Sequence, residues 1–108
     1  MSHVKRAFAD LDEGQVHYWI SSAQIQNSTP LVVLHPGPGT ARIQLPLLEV
    51  LSKTRTVIAP DIMGMGDSAA PPHDESNPPE VPYYADAVMR FLDTLGVDNF
   101  DLYGSSLG

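Results

Sequence analysis

The apolar positions of this chain change their rhythm along its length. Residues 7–11, Ala-Phe-Ala-Asp-Leu, partly alternate with polar ones, and Asp12-Glu13-Gly14 supplies a turn. Gln15-Val16-His17-Tyr18-Trp19-Ile20 is then rich in strand formers, so the pattern predicts a β-hairpin over residues 7–20. Residues 21–29 are polar and read as a loop. Leu31-Val32-Val33-Leu34 is apolar without interruption, as expected of a strand covered on both faces in a largely parallel sheet. The Pro- and Gly-rich run 35–40 cannot extend it and reads as a structured turn. Residues 41–52 have helical spacing, with Ile43, Leu47, Val50 and Leu51 on one face and Pro46 either starting or kinking the helix. Residues 55–59 predict another strand, stopped by Pro60. A glycine-containing loop follows at 61–68, then a surface excursion at 69–82 that holds five prolines. Tyr84, Val88, Phe91, Leu92 and Leu95 recur at helical intervals, with Gly96 as the stop, and Phe100–Tyr103 predicts a last strand.

Later strands therefore alternate with helices, the order expected of an α/β protein with crossover helices. In such sheets ligand groups gather beyond the carboxyl ends of the strands. The loops at 35–40, 61–68 and 104–108 all fall at that end. Composition narrows the partners. A net charge of −7, with no basic run longer than Lys5-Arg6, argues against nucleic acid and anionic membranes. The absence of cysteine removes disulfides and thiolate metal sites. The N-terminus shows no signal-peptide core and no stretch is long enough to span a membrane, so a cytoplasmic protein is expected. At 108 residues the chain is one domain or part of one.

The most specific chemistry lies at the end. Gly104-Ser105-Ser106-Leu107-Gly108 matches G-x-S-x-G directly after a predicted strand, the context of a nucleophile elbow. Two further segments join it. His35-Pro36-Gly37-Pro38-Gly39 follows the third predicted strand, and Asp61-Ile62-Met63-Gly64-Met65-Gly66-Asp67-Ser68 follows the fourth. With these three in this order, the chain resembles the α/β-hydrolase family. The first loop is similar to the His-Gly-rich oxyanion loop, in the form seen in proline-iminopeptidase-like members, with Pro36 standing where the family usually has Gly. The second is similar to the family's D-x-x-G-x-G-x-S segment.

The resemblance implies the N-terminal part of an α/β-hydrolase fold: a hairpin, then a mostly parallel sheet with crossover helices, ending after the elbow strand. It implies Ser106 as nucleophile. It implies oxyanion donors from the Leu107 amide and from the 35–40 loop. Pro36 and Pro38 have no N–H, which leaves Gly37, Gly39 and Thr40, and the family pattern points to Gly37. His35, Asp61, Ser68, Gly104 and Gly108 are expected to support the site structurally. His3, His17 and His73 are read as solvated or packing residues, with no metal spacing among them. No cofactor is expected.

In this family the acid and the histidine of the triad follow the elbow. Residues 1–108 are accordingly expected to be a partial domain without them, and the bare last strand to be an exposed edge. The parent activity implied is hydrolysis of an ester, amide or related acyl bond on a small-molecule substrate. The alternatives are a C–C hydrolase, an acyltransferase or a cofactor-free haloperoxidase on the same fold. A reading of another class is a non-catalytic fragment, or a split half that needs a complementing C-terminal chain. Aspartate-nucleophile members are disfavoured by the serine.

Overall fold

The right-handed rule for parallel crossovers accounts for the layout of this chain. In the computed structural model, residues 4–12, 14–22, 29–36, 40–62, 66–68 and 81–104 are described. The strands are β1 (Val4–Leu11), β2 (Gly14–Ser21), β3 (Leu31–Leu34), β4 (Val57–Pro60) and β5 (Asp101–Gly104). They form one sheet in the order β1-β2-β4-β3-β5. β4 and β5 both pair in parallel with β3, on opposite sides of it. The hairpin β1–β2 joins antiparallel through β2 against β4, so the sheet is mixed.

Among the described residues, two helices link the parallel strands: α1 (Leu45–Leu51), preceded by a 3₁₀ turn at Ala41–Gln44, and α2 (Val81–Leu95). The step from β3 to β4 runs one way across the sheet and the step from β4 to β5 runs the other way. Crossovers of one hand then put their helices on opposite faces, and the core divides accordingly. Val16, Tyr18, Val32 and Ile58 pack with Ala87, Phe91 and Leu92 of α2. Trp19, Val33, Val57 and Ala59 pack on the other face with Ala41 and Leu48. Across β2, β3 and β4 the even-numbered residues meet α2 and the odd-numbered ones meet α1, the period of two that a strand imposes.

The seven regular elements appear in the expected order, with several corrections. The hairpin is longer than 7–20. β4 begins at Val57, and just before it the Arg55 side chain bonds the Thr29 carbonyl and the Asp101 carboxylate, the latter at 2.6 Å. Pro46 lies in the first turn of α1, where its missing N–H costs nothing, so it starts the helix and does not kink it. The same reasoning lets α2 begin at Val81 with Pro82 in its first turn, inside the stretch read as an excursion. The inward face of α1 also differs from expectation. Ile43 and Val50 are 63% and 62% exposed, while Ala41 and Leu48 are fully buried. Positions 41, 45, 48 and positions 43, 47, 50 are both apolar at helical spacing. Periodicity cannot choose between two such stripes, and contact with the sheet chose the first.

Gly96 ends α2 as expected, and the geometry shows how. Its φ is +76°, its amide reaches Asp93 O at 3.0 Å, and the Val97 amide reaches Leu92 O at 2.9 Å. This is a Schellman stop, which satisfies the last carbonyls of the helix. β5 stands at the edge of the described sheet with all four residues exposed.

Candidate active-site scaffold

β3, β4 and β5 are parallel, so the segments that follow them leave from one end of the sheet. Leu34 is paired with Gly104, so β3 and β5 end side by side there. Of the residues expected at the site, His35, Asp61, Ser68 and Gly104 are described. Gly37, Ser106, Leu107 and Gly108 lie outside the described residues, as do His3 and His73.

Asp61 is the hub of what is described. It follows β4 directly, is 2% exposed, and its carboxylate accepts three hydrogen bonds. The Ala41 amide donates to Oδ1 at 2.8 Å. The Asp67 amide donates to Oδ2 at 3.0 Å, and His17 Nδ1 lies 2.7 Å from the same oxygen. One side chain thus joins the start of the α1 segment, the loop after β4 and strand β2. Charge-assisted bonds of this kind are the strong ones. Ser68 acts beside it through the backbone. Its hydroxyl donates to Asp61 O at 2.7 Å and accepts from the His17 amide at 2.9 Å.

Gly66 explains itself by space. Its φ is +54°, and a Cβ built there would land on the Asp61 carboxylate. Gly66→Ala is expected to cost about 1–3 kcal/mol through left-handed strain and displacement of that carboxylate. Urea unfolding of the variant beside the native chain would measure it.

His35 is fully buried. Its Nε2 accepts from the Ile62 amide at 3.0 Å, and Nδ1 lies 2.9 Å from the Pro36 carbonyl. An amide can only donate, so the ring proton sits on Nδ1 and donates to Pro36. His35 therefore ties the exit of β3 to the exit of β4.

Of the two expectations for His17, solvated or packing, the structure bears out packing, and adds hydrogen bonds that the sequence did not show. His17 is 2% exposed and bonded at both ring nitrogens, to Asp61 and to Arg6 Nε at 2.9 Å. The sequence carried no local signal for the pairing, since 44 residues separate the partners. Only the β2–β4 register, with Tyr18 opposite Pro60, brings His17 against Asp61.

A half-open cleft of about 230 Å³ lies beside this network, lined by His17, Trp19, Thr40, Arg42, Asp61, Gly66 and Asp67. Ligand atoms of His17, Asp61 and Asp67 come within 4.8 Å of one another, a spacing that a metal ion accepts. A cation already serves these groups: the Arg6 guanidinium bonds both His17 and, at 2.9 Å, Asp67. The spacing that sequence did not reveal is thus occupied by an arginine network. No helix among the described residues is long and apolar enough to cross a membrane.

Comparisons with known proteins agree with this architecture. A family model described as the alpha/beta hydrolase fold matches residues 29–108. A 2-hydroxymuconate semialdehyde hydrolase of Pseudomonas sp. (strain CF600) is 37% identical over 83 residues, covering 73% of this chain and 28% of that protein. Among solved structures, an N-acyl homoserine lactonase is 27% identical with a TM-score of 0.83, over 97% of this chain and 37% of its own. A haloalkane dehalogenase variant from Bradyrhizobium elkanii shares the fold with a TM-score of 0.84 at 19% identity, over 99% of this chain and 34% of its own. The chain thus spans roughly a third of the length of these relatives. With the family model covering residues 29–108 and the sheet order and loops as described, the chain belongs to the α/β-hydrolase fold family.

Proposed function

We propose that this chain supplies the nucleophile-bearing part of a serine-dependent α/β-hydrolase. In this reading Ser106 attacks the carbonyl of an ester, amide or related acyl bond of a small molecule. The amides of Leu107 and Gly37 stabilise the oxyanion that results. The observation that carries the reading is the placing of β5 in parallel beside β3, with Gly104 opposite Leu34. The G-x-S-x-G segment and the 35–40 loop then start side by side at the carboxyl end of the sheet. The roles of Gly37, Ser106 and Leu107 rest on sequence and on this topology.

A serine needs a base, and neither described histidine is free to be one. His17 and His35 each have both ring nitrogens in hydrogen bonds. In our reading the base and its acid come from the part of the fold that follows the elbow, in the order Ser, acid, His. The 108 residues alone are then catalytically incomplete. A fluorophosphonate probe is expected to leave the isolated chain without stoichiometric label. Stoichiometric labelling that disappears in Ser106→Ala would overturn the incompleteness and keep the nucleophile. In a protein extended to the relatives' length, labelling that survives Ser106→Ala would sink the nucleophile assignment.

A second reading within the fold is hydrolysis of a C–C bond beside a carbonyl. The 37% identity to a 2-hydroxymuconate semialdehyde hydrolase favours it, whereas the 27% identity to a lactonase favours an acyl–oxygen bond. Turnover of 2-hydroxymuconate semialdehyde against an N-acyl homoserine lactone by the extended protein separates the two.

A further inference from the structure

The β2–β4 ladder does not simply stop at Pro60. The Asp61 amide still donates to His17 O at 2.8 Å. The return bond is opened by one hydroxyl: the His17 amide meets Ser68 Oγ, which in turn meets Asp61 O. His17 and Asp61 thereby face each other with both side chains buried. The imidazole plane is held by Phe8, with ring centroids 5.2 Å apart, and by Trp19 at 5.6 Å.

Arg6 decides the tautomer. A guanidinium has only donors, so the Arg6 Nε contact requires a lone pair on His17 Nε2. The single ring proton is then on Nδ1 and points at Asp61 Oδ2. The pair is a hydrogen bond from a neutral imidazole to a carboxylate, although its distance would also suit an ion pair. An aspartate's terminal torsion is broad, so its hydrogen bonds set the plane of the carboxylate. Oδ1 of that carboxylate holds the amide of Ala41, the residue directly after the 35–40 loop and Thr40.

We propose that His17 is a positioning residue: its Nδ1–H orients the Asp61 carboxylate, which in turn anchors the Ala41 amide and the exit of the 35–40 loop. The hairpin is thus more than cover for the sheet edge. It supplies the proton that aligns the clamp between two active-end loops. The consequence for an oxyanion donor rests on the role given to Gly37 above. The clamp itself does not.

The test reads the clamp without using activity. Ring-nitrogen NMR of the native chain is expected to show His17 protonated on Nδ1 and bare on Nε2. In His17→Phe, amide exchange at Ala41 is expected to rise roughly tenfold or more, the loss of a charge-assisted bond's alignment. Exchange at Val97, bonded to Leu92 at the far end of α2, is the reference and should not change in step. His17→Asn places an amide nitrogen at the same bond distance from Cα as Nδ1 and is expected to restore protection of Ala41. A proton on Nε2, an unchanged Ala41 rate in His17→Phe, or equal behaviour of the Phe and Asn variants would each overturn the proposal. Should His17→Phe not fold, the native ring shifts and the Ala41 rate in His17→Asn decide it: Nδ1–H with Ala41 protected supports, and a proton on Nε2 or an unprotected Ala41 overturns. Serine labelling fails or succeeds independently of these readouts, so the two proposals can be lost separately.

Discussion

Replacing Asp61 by Ala is expected to destabilise the chain by about 3–5 kcal/mol, because N–H donors packed around it lose the carboxylate that accepts from them. Three donors lose their acceptor at once: the Ala41 amide, the Asp67 amide and His17 Nδ1. A buried donor left unsatisfied costs about 1–3 kcal/mol; the Ala41 amide and His17 Nδ1 are buried, whereas the part-buried Asp67 amide is rehydrated at less cost. Domains of this size are stable by only about 5–15 kcal/mol, so the loss is a large share. Urea unfolding should show the midpoint falling by on the order of 2 M, given slopes of about 1–3 kcal/mol/M. Asp61→Asn is nearly the same shape and is the sharper control. Its NH₂ group would face donors where an oxygen now accepts, so shape alone should not rescue stability. If Asp61→Asn unfolds with the native midpoint, charge and acceptor count at this position do not matter and the clamp described above is wrong.

Phe91→Ala should cost a similar amount, about 3–5 kcal/mol, for a different reason. Phe91 is 1% exposed on the inward face of α2 and meets Tyr18 of β2 edge to face, with ring centroids 5.0 Å apart. Truncation forfeits the buried ring and leaves a cavity between helix and sheet that the rigid strands cannot close. Met89 is two residues away on the same helix and 49% exposed. Met89→Ala should therefore stay within about 0.5 kcal/mol. The pair separates burial from helix propensity, because both substitutions install the same good helix former. Similar losses for the two, read from matched urea curves, would contradict the packing of α2 on the even-numbered sheet face.

Much of this fold is legible in the sequence. The apolar run 31–34 and the helical spacing of Tyr84 to Leu95 each correspond to an element, and Gly96 to its end. These signals are local: a strand buried on both faces, one amphipathic stripe, a left-handed stop. Where two local readings competed, the sequence could not decide. The segment 41–51 carries two apolar stripes, and the inward one was selected by the sheet face formed by Trp19, Val33 and Val57. Prolines misled in the same way. Pro82 reads as a breaker by identity, but only its position in the first turn of α2 determines whether a hydrogen bond is lost.

By itself, the sequence determined the alternation of strands and helices, the three loops that share one end of the sheet, and a serine placed after the last strand. Those follow from side-chain period and from glycines and prolines at turns, all encoded within a few neighbouring residues. Tertiary structure alone decided that β2 lies against β4, and hence that His17 meets Asp61 across 44 residues of chain. Strand order and register are properties of the whole sheet, set by which faces must be buried together. A buried imidazole acquires its partner, its tautomer and its task only when that register is made.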